Sequence, residues 1–100
     1  MDMPRISTKE QEILELLLAR GELYGLEMVE LSTALKRGTV YVTLSRMEEK
    51  GLVQGFEKPP QAGQRGPNRR RYRLTGLGEF AARSHQNFKS WATNLGGAAG

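Results

Sequence analysis

The hydrophobic period of this chain changes once, at Gly51, and that switch restricts the folds open to it more than any other feature. Before it, Val40, Leu44 and Met47 recur at steps of four and three, which is one face of an α-helix. After it, Leu52-Val53-Gln54-Gly55-Phe56-Glu57 follows a period of two, and residues 69–74 repeat that period as an antiparallel partner. Between these two strands, Pro59, Pro60, Gly63, Gly66 and Pro67 forbid regular structure and mark a mobile loop over residues 58–68. In the second strand Tyr72 and Leu74 share one face, so Arg71 and Arg73 share the other.

The remaining elements are helical. Ser7-Thr8-Lys9-Glu10 has the capping-box pattern, in which the Ser7 hydroxyl accepts from the Glu10 amide. Behind it Ile13, Leu14, Leu17 and Leu18 recur at helical spacing as far as Gly21, whose lack of a side chain suits a helix end. A shorter helix is expected over residues 26–31, with Leu26, Met28 and Val29 as its apolar positions. A third runs from about residue 37 to residue 50. Its outer side gathers Gly38, Thr39, Val42, Ser45 and Arg46, a small and hydroxyl-rich surface suited to close approach. Glu48-Glu49 reads as its solvated end. Thr75 can cap a last helix reaching residue 95, with residues 96–100 as a disordered tail. The expectation is a mainly α fold with a small β-hairpin, a winged helix-turn-helix over residues 1–75, and a C-terminal dimerisation helix over residues 76–95.

Length and composition exclude several classes. One hundred residues make one small domain. The absence of cysteine rules out disulfides, thiolate ligands and thiol nucleophiles. The longest apolar run, residues 16–19, is far below the roughly 20 residues of a membrane span. Residues 1–12 are polar and acidic, unlike a signal peptide, so a cytoplasmic location is expected. His85 is the only histidine and has no metal-ligating partners nearby in sequence, and Asp2 is the only aspartate, so no arrangement of a base beside a nucleophile stands out. No enzyme activity and no cofactor are expected.

Charge is unevenly distributed. Residues 1–35 carry 3 Lys or Arg against 7 acids, whereas residues 36–73 carry 10 against 3. Such a chain has a basic side that favours a polyanion, although a solvated basic face would have the same composition. Three helices followed by a ribbon with a basic tip match the order in which a recognition helix enters the major groove of DNA. Lys36, Arg37, Arg65, Arg69, Arg70 and Arg71 supply charge for phosphates. Val42, Ser45 and Arg46, with Thr39, form the face presented to the duplex. A protein-interaction module built on the same fold is the alternative, and it would not need the basic ribbon.

Three stretches carry a family resemblance: Tyr24-Gly25; Gly38-Thr39-Val40-Tyr41 with Leu44, Arg46-Met47-Glu48 and Gly51-Leu52; and Tyr72, Leu74-Thr75 and Gly78. Together, over roughly residues 13–80, the sequence resembles the PadR family of bacterial transcriptional regulators. The resemblance implies a dimeric winged-helix repressor whose C-terminal helix forms the dimer. It also implies DNA contacts from Thr39, Tyr41 and Arg46, with Tyr41 at the backbone. The family often has Ser-Pro where Lys36-Arg37 stand, and Pro where Val42 stands. Lys36 has no oxygen with which to cap a helix, so the start of the third helix is left open. A single C-terminal helix is similar to the family's short subgroup.

That last helix points to a dimer on its own terms. Leu77, Ala81, Ser84, Phe88, Trp91 and Leu95 are spaced 4, 3, 4, 3 and 4 apart, a coiled-coil seam that Phe80 widens. A second copy of the chain is the expected cover for it, binding a palindromic DNA operator as a homodimer. Folding back on the first helix is the alternative. Trp91, with Phe88, is either a packing residue of this seam or the wall of a site for a small aromatic ligand.

Overall fold

A computed structural model describes residues 5–59 and 69–84. Its elements run α1 (Thr8–Arg20), β1 (Glu22–Tyr24), α2 (Gly25–Leu31), α3 (Val40–Glu49), β2 (Val53–Lys58) and β3 (Arg69–Leu74), followed by α4 over residues 76–84. The expected loop tip with Arg65, and the later seam residues Phe88, Trp91 and Leu95, lie outside the described residues.

The local signals act as read. The Ser7 hydroxyl accepts from the Glu10 amide at 3.2 Å, and the Glu10 carboxylate accepts from the Ser7 amide at 2.9 Å. Gly21 and Gly51 both adopt positive φ, 87° and 78°, where a side chain would be strained. Ile13, Leu14 and Leu17 of α1 meet Met28 of α2 and Val40, Leu44 and Met47 of α3 in one core closed by Leu52, Val53 and Tyr72.

Two expectations change. The hairpin is a three-stranded antiparallel sheet in the order β1-β3-β2, with β3 in the centre. Strand β1 is three residues long, too short to show a period, and it forms because β3 offers a free edge for Leu23 to pair opposite Tyr72. The third helix begins at Val40, three residues later than expected. Residues 36–39 form a turn instead, in which the Lys36 carbonyl accepts from the amides of Thr39 and Val40 at 3.1 and 2.9 Å. Lys36 offers no capping oxygen and Gly38 disfavours helix, so the helix starts where Val40 can reach the core.

Helix α4 is joined to the core at its start. The Thr75 hydroxyl donates to the Gly51 carbonyl at 2.5 Å and accepts from the Gly78 amide at 3.0 Å. A side chain at Gly78 would overlap the Leu52 carbonyl oxygen, so glycine is what lets α4 lie against the start of β2. Ala81 and Ala82 are buried and Leu77 packs on the same core. The first turns of α4, just past the expected boundary at residue 75, thus lie against this protomer's core, with Leu77 half-buried and Ala81 buried. Phe80 and Ser84 are exposed.

One ion pair spans the molecule. The Lys50 ammonium donates to both oxygens of Glu10 at 2.8 Å and to the Arg5 carbonyl at 2.6 Å. This fastens the end of α3 to the beginning of α1. Burial pushes the Glu10 carboxyl up, but Lys50 and the Ser7 bonds outweigh it and hold the group below its ordinary value.

Lys50→Met leaves a buried carboxylate unpaired and should cost about 1–3 kcal/mol in urea unfolding at neutral pH. A depressed carboxyl stabilises fully above its unfolded value of about 4.3 and ceases to do so as pH falls through its lower folded value. The difference between wild type and Glu10→Gln should accordingly narrow in acid. Gly78→Ala should cost about 1–3 kcal/mol by overpacking, read as a lower thermal midpoint.

Candidate nucleic-acid interface

The outer side of α3 is open. Thr39, Val42, Ser45 and Arg46 are all exposed, as are Lys36, Arg37 and Gly38 in the turn before it. Val40, Thr43, Leu44 and Met47 bury the opposite side, and the Thr43 hydroxyl donates to the Thr39 carbonyl at 3.1 Å. Alternation of burial thus leaves a face of small residues around a single long cation. Tyr41 stands at the flank with its ring against Gly25, where an added Cβ would sit 2.7 Å from the ring. A side chain at Gly25 would displace the exposed Tyr41 ring from this position.

The arginines of β3 separate by face. Tyr72 is buried, so Arg70, two residues away, is on the side of the sheet that meets the helices, while Arg69, Arg71 and Arg73 are on the other. Arg70 crosses Gly55 and donates to Glu48 at the end of α3 at 2.8 Å. That bond to Glu48 raises the Arg70 pKa against a smaller opposing effect of burial. Glu48 is therefore not the solvated helix end expected of it. It is the anchor between the ribbon and α3.

Arg71 is also occupied. Its guanidinium lies 4.1 Å from the centre of the Tyr24 ring, and its Nε is 3.1 Å from a Glu22 oxygen, though not aligned for a hydrogen bond. Glu27 is 3.9 Å from its Nη2. Burial lowers the Arg71 pKa, but Tyr24, Glu27 and Glu22 outweigh it and the net shift is upward. Arg73 stacks 5.1 Å from the Phe56 ring centre and donates to Gln54. Arg69 lies 5.6 Å from the Tyr24 ring and, among the described residues, has no carboxylate partner.

The structure thus divides the expected cations into two groups. Lys36, Arg37, Arg46 and Arg69 are exposed without a carboxylate partner among the described residues, whereas Arg70 and Arg71 bind the sheet to its neighbours. Glu22, Tyr24, Glu27 and Glu48 set this division, and sequence reasoning missed them in that role. The signal was available only for Glu27, which sits three residues after Tyr24 and accepts its amide at 2.8 Å. A shallow groove of about 500 Å³ lies between Tyr24 and Leu26, Tyr41, and Arg69 and Arg70.

Comparison with known proteins agrees with this geometry. A PadR family transcription regulator from Clostridium difficile R20291 superimposes with a TM-score of 0.71 at 25% identity, covering 94% of this chain and all of that one. A PadR-like transcriptional regulator from Bacillus cereus ATCC 14579 gives 0.66 at 22% identity, covering 89% of both chains. NadR in complex with 4-hydroxyphenylacetate gives 0.69 at 23% identity, covering 95% of this chain and 64% of that one. No curated protein matches the sequence. The description of the transcriptional regulator PadR-like family matches residues 13–84, nearly the whole described span. The chain is therefore a winged-helix protein belonging to the PadR-like family of transcriptional regulators.

Proposed function

We propose that the protein acts in the cytoplasm as a homodimeric repressor, placing α3 of each protomer in successive major grooves of a palindromic operator. The observation that carries this reading is the outer face of α3, where an exposed Arg46, without a carboxylate partner among the described residues, rises among Thr39, Val42 and Ser45. Small neighbours allow the helix backbone to approach base edges closely enough for one arginine to reach them. The Arg70–Glu48 bond supports the reading further, because it links the ribbon to the end of that helix at 2.8 Å. A module serving only protein contacts would need neither feature.

Dimerisation is proposed through the C-terminal helix. Phe80 is 61% exposed on α4, an apolar ring that the described residues leave largely uncovered. Because Leu77 and Ala81 are used internally, the stripe available to a partner begins at Phe80 and Ser84 and continues in the sequence through Phe88, Trp91 and Leu95. The proposal extends to a planar aromatic effector held near Phe88 and Trp91, for which 4-hydroxyphenylacetate is a suitable first probe. Trp91 is the only tryptophan, so its fluorescence reports binding directly.

Footprinting should show protection of two half-sites about 34–36 Å apart, with affinity falling steeply as salt rises. Arg46→Ala should remove about 1–3 kcal/mol of discrimination between the operator and a shuffled duplex. Arg69→Ala should weaken both duplexes alike and lower the salt slope by about one. Arg71→Ala should reduce thermal stability at nearly unchanged slope, since its charge is spent within the fold. Binding that ignores salt, or none to the promoter region, overturns the proposal.

Light scattering tests the second part. Wild type should be a dimer and Phe88→Glu a monomer with much weaker operator binding, because an unpaired carboxylate cannot be buried cheaply in the seam. An effector should quench Trp91 and release the DNA together. Quenching without release would make Trp91 a binding surface only.

A further inference from the structure

We propose that Lys9, on the first turn of α1, grips the DNA backbone beside the recognition helix, extending the nucleic-acid surface outside the helix-turn-helix and the ribbon. This rests on the DNA-binding reading above. A second groove, of about 510 Å³, runs between α1 and the outer side of α3, with Ser7, Thr8 and Lys9 on one wall and Thr39, Val42 and Arg46 on the other. It is continuous with the α3 face assigned to base edges, because Thr39, Val42 and Arg46 belong to both.

Its charge suits a phosphodiester. Lys9 and Arg46 are exposed on opposite walls, and among the described residues neither has a carboxylate partner. The groove's one acid, Glu10, has its carboxylate buried and held by Lys50 at 2.8 Å, so it does not offset them. Hydroxyls of Thr8 and Thr39 line the space between. Two cations across a polar cleft with its only carboxylate neutralised make a site for an anion that is extended along the cleft.

Geometry selects DNA as that anion. The major groove is about 12 Å wide, and a helix with its side chains nearly fills it. Elements packed on either flank of a seated α3 are thereby brought against the two strands that bound the groove. The ribbon flanks α3 on one side through Arg70 and Glu48. Helix α1 flanks it where the cleft opens, and Lys9 is the cation there. Backbone contact of this kind positions the protein and carries no base preference.

The test is fluorescence anisotropy on the protected operator and a shuffled duplex across a salt series, with Lys9→Gln and Lys9→Arg beside wild type and Arg46→Ala. Lys9 is exposed at the helix surface, so matched unfolding midpoints will confirm that the variants are folded. Lys9→Gln should bind both duplexes several-fold more weakly, with the salt slope reduced by about one and the operator preference unchanged. Lys9→Arg should restore the slope. Unchanged affinity and slope in Lys9→Gln, while wild type binds and Arg46→Ala loses preference, would overturn the Lys9 assignment alone. Loss confined to the operator would make Lys9 a base contact and equally overturn it. Wild type that binds neither duplex would instead sink the DNA reading on which this rests.

Discussion

Burial of Tyr72 in the central strand is the constraint on which the rest of the sheet depends. Its ring is 4% exposed, opposite Leu23 on one side and Gly55 on the other. Side chains alternate along a strand, so a slip of one residue would turn Tyr72 to solvent and bring Arg69, Arg71 and Arg73 against the helices. Register is therefore determined by one aromatic residue in a strand that is otherwise mostly arginine. Once it is set, each cation has a defined place: Arg70 toward α3, and Arg69, Arg71 and Arg73 on the outer face. The strand that looks least like a core element by composition is the one that organises the sheet.

The same folding step changes the meaning of the charge distribution. The acidic first third and the basic middle look like two poles of an external field, yet much of that opposition is spent inside the protomer. Glu10 holds Lys50, while Glu22 and Glu27 face Arg71. Within the basic segment, Glu48 takes Arg70. These contacts tie α1 to α3, β1 to β3 and β3 to α3, the joints that keep helix and ribbon in one orientation. Among the described residues, the charge left for a polyanion is smaller than the composition suggests and more localised, being gathered around the outer face of α3 with Arg69 opposite Lys58 at the loop end of the ribbon.

Two glycines permit the close approaches on which this arrangement relies. Gly25 admits the Tyr41 ring between α2 and α3, and Gly78 admits α4 beside the Leu52 carbonyl. Through Gly78 and Thr75, the helix that carries exposed Phe80 is joined to the strand that follows α3. In the proposed homodimer, a change in how two copies meet along that helix would have a short, packed route to the outer face of α3. Differential binding to one such arrangement is what any effector would need in order to release DNA.

The helices, the N-caps of α1 and α4, the two long strands and the open face of α3 were legible in the sequence because each is a local pattern. Ser7 and Glu10 lie three residues apart, and the core positions of α3 repeat within two turns. The family resemblance followed from residues on these same elements. What tertiary structure decided was pairing between distant segments. A three-residue strand has no period to read, so β1 is defined only by the edge that β3 offers it, and with β1 come Glu22 and Tyr24 as the partners of Arg71. Glu48 looked solvated because Arg70 is remote in sequence and reaches it only across the folded sheet. Leu77 and Ala81 fit a seam by spacing, but spacing cannot say whether a helix face meets its own core or another copy. Local periodicity establishes which faces exist, and three-dimensional packing alone settles what each face touches.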